Sequence, residues 1–173
     1  MSFEGLSLVE PAAELQSEFY SLLEEYRRAG EHYHLHDGAF EDFAAYLAKL
    51  RWWSEGVGLP PGIVPATTYW LVQGGRLLGE SQLRHQLTPI LEKIGGHIGY
   101  DVRPSARRLG YGTVLLALTL EKARERGLSR VLLTCNVNNA GSIRIIEKNG
   151  GVLAGTVAIE LTHSVNHHYW IAL

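Results

Sequence analysis

The chain has 173 residues, of which 46% are hydrophobic and 20% charged, with a formal net charge of -2. These values suit one globular domain over residues 1–173 and exclude the strong basic balance of a non-specific nucleic-acid binder. A lone cysteine, Cys135, excludes an internal disulfide, and with neither a leader pattern nor a membrane-length apolar run the expectation is a cytoplasmic protein with no membrane partner.

Leu6 to Val9 reads as a first strand, and Pro11 suits the start of a helix. Leu15, Phe19, Leu22, Leu23 and Tyr26 mark one face of that helix, and Gly30 stops it. His32, His34 and His36 follow, beside Asp37. They would share one face if extended and form a candidate metal site, but no matching fourth ligand is apparent. A polar loop with no metal is the expected reading.

Phe40, Phe43, Leu47 and Leu50 predict a second helix from Ala39 to Trp53, with Trp52 and Trp53 in the core. Ser54 to Pro65, rich in glycine and proline, is a loop long enough to serve as a binding loop. Thr67 to Val72 and Leu77 to Leu87 predict a hairpin around Gly74-Gly75. Thr88 to Lys93 is a connection or short helical turn, and His97 to Arg103 is the next strand.

That strand enters Arg107-Arg108-Leu109-Gly110-Tyr111-Gly112, after which Leu116, Leu120 and Ala123 mark a long helix ending at Gly127. Strand, basic glycine loop and helix N-terminus form an anion cradle suited to a pyrophosphate. No Lys follows Gly112, so the loop is not a P-loop, and Leu115 stands where a dinucleotide fingerprint needs glycine. Arg130 to Cys135 predicts a buried strand, with Cys135 read as packing. Asn139 caps a short helix, Ala140 to Lys148, and Val152 to Leu161 and His168 to Leu173 predict two last strands with a turn from Thr162 to Asn166. The fold class is α/β: a mixed, mostly antiparallel central sheet of about six or seven strands flanked by helices.

The loop pattern R-x-x-G-x-G, together with Asn139-Ala140-Gly141-Ser142 through Ile146-Glu147-Lys148-Asn149-Gly150, resembles two motifs of the GNAT N-acetyltransferase superfamily, in the expected order. Within it the chain looks like a bacterial predicted-acetyltransferase subgroup carrying GGHIGY and IEKNGG. The resemblance implies transfer of an acetyl group from acetyl-CoA to a primary amine, directly in a ternary complex. It implies that Arg107, Arg108, Leu109, Gly110, Tyr111 and Gly112 hold the pyrophosphate, that Val102 pairs with the pantetheine arm, and that Asn139 and Ser142 contact the cosubstrate. Ile146 departs from the pattern, because many members carry a general-acid Tyr there; Tyr100, Tyr111 and Tyr169 are the substitutes at hand.

For the general base the candidates are His97, Glu80 and Asp101. Each also has an ordinary structural reading. A non-catalytic CoA-binding or sensory module on the same fold is the alternative function. The acceptor is expected to be a small-molecule or peptide amine, and the C-terminal strands are compatible with a homodimer.

Overall fold

The computed structural model describes residues 3–31, 38–160 and 163–173, so the histidine run at 32–37 lies outside the described residues. In chain order the elements are β1 (Leu6–Val9), α1 (Gln16–Arg28), α2 (Phe43–Ser54), β2 (Ala66–Gln73), β3 (Arg76–Arg84), α3 (Pro89–Lys93), β4 (Ile98–Val102), α4 (Tyr111–Glu125), β5 (Arg130–Asn136), α5 (Ala140–Lys148), β6 (Val152–Ile159) and β7 (Ser164–Ala172). Short 3-10 turns, Ala13–Leu15 and Pro104–Ala106, precede α1 and the glycine loop.

The expected central sheet is realised as two antiparallel sheets, one ordered β1-β2-β3-β4 and the other β5-β7-β6. They are joined where the chain enters β4. The His97 N–H donates to the Leu132 carbonyl at 2.7 Å, and the Leu132 N–H donates to His97 Nδ1 at 2.9 Å. Gly96 makes this approach feasible: its φ is +62°, and a Cβ there would stand 2.4 Å from the Leu132 oxygen. Beyond this junction no ladder joins β4 to β5 among the described residues.

Both faces of the first sheet are covered. On one, α1 and α2 pack Phe19, Leu22, Tyr26, Phe43 and Tyr46 against Trp70, Val72 and Leu77. Phe19 stacks on Trp70 with centroids 5.0 Å apart and on Tyr46 at 5.5 Å. Each such burial contributes about 2–3 kcal/mol. On the other face α4 lays Leu115, Leu116, Leu120 and Ala123 over both sheets. Arg103, 3% exposed, fastens the end of β4 to α1. It donates to Glu25 at 2.7 Å, Glu18 at 2.8 Å, the Leu77 carbonyl at 3.0 Å and Ser21.

Several boundaries differ from expectation for local reasons. α2 begins at Phe43, not Ala39, because Asp42 caps it by accepting from the Ala45 N–H at 2.9 Å. Residues Gly38 to Asp42 form a turn closed on the Gly38 carbonyl. Trp52 is not core: it is 55% exposed on the outer side of α2. Pro11 precedes the 3-10 turn rather than starting α1. β3 stops at Arg84, and β7 starts at Ser164 because its antiparallel pairing with β6 runs back to Ser164 opposite Ile159. No helix among the described residues is long and apolar enough to cross a membrane.

Candidate active site

The loop before α4 is built as an anion nest. Arg108 (φ 62°) and Gly110 (φ 90°) both adopt the left-handed conformation, which curls successive N–H groups toward one point. The first N–H groups of α4 have no carbonyl behind them and lie at the positive end of the helix dipole. Arg108 is exposed, with no partner for its guanidinium among the described residues. Arg107 is engaged elsewhere. Its two terminal nitrogens grip Glu31 at 2.6 and 2.7 Å, and its Nε donates to the Val102 carbonyl at 2.9 Å. The loop charge left for an anion is therefore that of Arg108.

A cleft lies between β4 and β5. It encloses about 260 Å3, and its lining includes Gly99, Tyr100, Asp101, Thr134, Asn139 and Ser142. The backbone of β4 explains why the cleft suits an amide-bearing chain. Arg84 N–H donates to the His97 carbonyl, and Arg103 N–H donates to Leu78, so alternate residues 97, 99, 101 and 103 turn toward β3. The intervening Tyr100 and Val102 turn their backbone groups toward the unpaired gap. The Tyr100 N–H thus faces the space where a carbonyl oxygen could be polarised.

An acidic row lies on the α1–α2 side of β4. Register places Trp70, Glu80 and Asp101 side by side across β2, β3 and β4. Glu80 accepts from the Trp70 indole N–H at 2.9 Å. Burial pushes the Glu80 carboxyl up to about 7; the indole hydrogen bond opposes this and the charge of Asp101 adds to it. Tyr46, whose hydroxyl is also held neutral by burial and by Glu80, closes the row. His97 is 7% exposed, and its Nδ1 is occupied by Leu132. Burial, then the charges of Arg84 and Arg130, hold it below the usual histidine range.

The α5 side carries the second motif. Asn139 Oδ1 caps α5 by accepting from the Ser142 N–H at 3.0 Å, and both residues line the cleft. Tyr100 reaches across from β4, its hydroxyl 2.7 Å from Ser142 Oγ. Burial pushes this phenol up to about 12, against the pull of Ser142. Ile146 is 1% exposed in the core beneath. The other two tyrosines point elsewhere: Tyr111 donates to Gln73 at 3.0 Å and Tyr169 toward Glu147 at 3.4 Å. Cys135 is 7% exposed in the same lining, its thiol pushed up by burial. Among the described residues no group of His, Cys, Asp or Glu side chains is arranged to hold a metal ion.

Sequence reading paired neither Glu80 with Trp70 nor Tyr100 with Ser142, and it passed over Arg84. The available signal was strand parity: Glu80, Gln82 and Arg84 are polar residues sharing one face of β3, beside a largely apolar opposite face.

Two sheets that part at one junction, with an anion nest at the far end of the gap, define an acyltransferase site of the kind that takes a long nucleotide-linked thioester. The chain belongs to the acetyltransferase (GNAT) family, whose model matches residues 12–152. Acetyl-CoA is the cosubstrate of this family. The nest, the free Arg108 and the unpaired β4 edge fit its pyrophosphate and pantetheine.

Among curated proteins, the chain is 34% identical over 90 residues to a mycothiol acetyltransferase from Thermomonospora curvata. The match takes in 52% of this chain and 29% of that enzyme, so the chain spans less than a third of that relative. Among solved structures it is similar to a ribosomal-protein-S5-alanine acetyltransferase from Vibrio fischeri (TM-score 0.74, 12% identity, covering 99% of this chain and 95% of that one). It is also similar to the Salmonella typhimurium enzyme that modifies the N-terminal serine of ribosomal protein L7/L12 (TM-score 0.68, 16% identity, 98% and 96% covered). A third is YncA, a putative acetyltransferase of the same organism with acetyl-CoA bound (TM-score 0.62, 16% identity, 98% and 95% covered). At these identities the structures show the fold alone.

Proposed function

We propose that the protein is an N-acetyltransferase that moves an acetyl group from acetyl-CoA directly to a primary amine, with Glu80 as general base and Tyr100 as proton donor. The observation that carries this reading is the convergence on β4. The Tyr100 N–H and hydroxyl enter the cleft from one strand, and the acidic row of Glu80 and Asp101 flanks the same strand.

Acetyl-CoA supplies the activated acyl group. Residues 108 to 112 hold its pyrophosphate, and Val102 and Tyr100 offer backbone groups to its pantetheine. The Tyr100 N–H faces the thioester oxygen, a donor of a kind worth about 3 kcal/mol in the transition state. An incoming ammonium gives one proton to Glu80 through water, since Glu80 stands beside the cleft lining rather than in it. A carboxyl poised near 7 accepts that proton at neutral pH and releases it to solvent afterwards. The free amine attacks the carbonyl carbon, a C–N bond forms and the C–S bond breaks. The sulfur takes a proton from the Tyr100 hydroxyl, and the second proton shed by nitrogen restores Tyr100 through Ser142. The net release is one proton.

Ile146 explains why the donor sits on β4: α5 has no hydroxyl at that turn, and Ser142, one turn earlier, meets Tyr100 instead. His97 is then a structural clasp between the sheets, and the role of Asn139 is to cap α5 at the cleft mouth. By name, the similar proteins acetylate the N-terminal serine of ribosomal protein L7/L12, an alanine of ribosomal protein S5 and mycothiol, which supports an amine acceptor without choosing one.

The test is calorimetric titration with CoA, followed by thiol release from acetyl-CoA in the presence of a panel of primary amines. Saturable CoA binding with amine-dependent thiol release is the expected result. Binding with no turnover on any amine would favour a non-catalytic module, and absence of both would overturn the reading.

A further inference from the structure

Arg84, the last residue of β3, lines the cleft beside Gly95, Gly99 and Asp101. Only one of its terminal nitrogens is used. Nη1 donates to the Gly95 carbonyl at 3.3 Å and the Gly96 carbonyl at 3.1 Å. Nε and Nη2 have no acceptor, and no carboxylate pairs with the group, among the described residues. Arg84 is nonetheless half-buried, enough for desolvation to pull it below its ordinary value.

Gly99 lies against this guanidinium: a Cβ there would stand 3.9 Å from Nη2 and 4.0 Å from Nη1, at ordinary contact distance. Nε and Nη2 together are the fork that grips a carboxylate with two parallel hydrogen bonds. The two Nη1 bonds hold that fork in place. A half-buried guanidinium that lines a cleft with Nε and Nη2 uncommitted among the described residues has the donor pair a carboxylate takes.

We propose that this edge of Arg84 binds a carboxylate of the acceptor, so that the acceptor is a small amino-carboxylic acid. The proposal rests on the transferase reading above and names the substrate class of that same site. The spacing of the groups refines the class. Asp101, which marks the amine end, lies two residues along β4 from Gly99, a separation of about 7 Å. An α-amino acid holds its two groups too close to reach both ends. An amine and a carboxylate joined by several carbons reach both. Asp101 then meets the ammonium, with Glu80 reached behind it through water, while Arg84 meets the carboxylate and the chain lies along β4.

The test compares 6-aminohexanoate with 6-aminohexanamide and hexylamine as acceptors, and as ligands by calorimetry on protein saturated with CoA. The expected result is at least a tenfold lower KM and Kd for the carboxylate over its amide. In Arg84→Met the ratio of carboxylate to amide constants, read within the same variant, falls to about one while CoA still binds; in Arg84→Lys the preference is partly kept. Equal constants for carboxylate and amide in the unaltered protein, or a preference that survives Arg84→Met, would overturn the proposal. CoA binding without a carboxylate preference sinks this inference alone, whereas loss of CoA binding sinks the transferase reading with it.

Discussion

Glu80 and Asp101 stand directly opposite each other across the β3–β4 ladder, so two carboxylates share one face of the sheet. Directly paired like charges repel, and Glu80 is the deeper of the two. Its carboxyl is pushed up to about 7, while the Trp70 indole N–H holds its orientation.

This arrangement stores a stability penalty. The folded-state value of Glu80 lies above the ordinary 4.5, so between about 4.5 and about 7 the folded protein binds more protons than the unfolded chain. Stability from this group is present at low pH and is lost as pH rises through the folded value. Glu80→Gln keeps an acceptor for the Trp70 indole and removes the charge. The variant should be more stable than the unaltered protein by about 2 kcal/mol at pH 8 and equal to it near pH 4. Chemical denaturation at the two pH values checks this; a variant less stable at pH 8 would contradict it.

Tyr100→Phe removes a hydroxyl and little volume. General acids contribute ~100-fold or more, so kcat should fall by about that factor while the Kd for CoA changes little. Ser142→Ala should give a smaller loss in kcat, because Tyr100 keeps its proton but loses its relay. Steady-state kinetics with CoA titrations separate these effects. An undiminished kcat in Tyr100→Phe would leave thiolate protonation to water.

The two loop arginines should behave differently despite being neighbours. Arg108→Ala removes the uncommitted charge, and a loss of ~1.4 kcal/mol corresponds to a Kd for CoA weakened about tenfold. The loss should shrink as salt rises. Arg107→Ala should change CoA affinity less, because its charge is already matched by Glu31. Calorimetry at two salt concentrations tests the contrast, and equal losses would refute it.

Arg103 tests the anchoring of β4. Arg103→Leu strips a buried cation from Glu18 and Glu25 and should cost about 3 kcal/mol, or roughly 10 °C in midpoint. Burial raises the Glu25 carboxyl, but hydrogen bonds from Arg103 and Ser105 outweigh this and hold it below its ordinary value. Its contribution is therefore present above 4.5 and lost as pH falls through the folded value. The gap between the two proteins in thermal melts should narrow in acid; a constant gap from pH 7 down to pH 3 would contradict this.

Local signals made most of the fold legible. The glycine loop, the Asn139 cap and the helix faces are written in short-range spacing, and the structure keeps each of them. α2 starts later than its periodicity predicts: the apolar period runs through Phe40, while the Asp42 cap and the turn at Gly38 decide the boundary. The division into two sheets rests on one contact between residues 35 positions apart, His97 and Leu132, which periodicity does not report. The same limit applies to the site. The spacing of the first motif gives the nest, but Glu31 takes Arg107 from it through a bond spanning 76 positions. Tyr100 meets Ser142 only because α5 packs against the gap.

The most direct test of the account is the pH dependence of kcat/KM for acetyl transfer, in the unaltered protein and in Glu80→Gln, with the best amine of the panel. If Glu80 is the base, the rate of the unaltered protein rises with pH through an apparent value near 7, and the variant is slower by ~100-fold and lacks that limb. A variant that keeps both the rate and the limb would show that another group takes the proton.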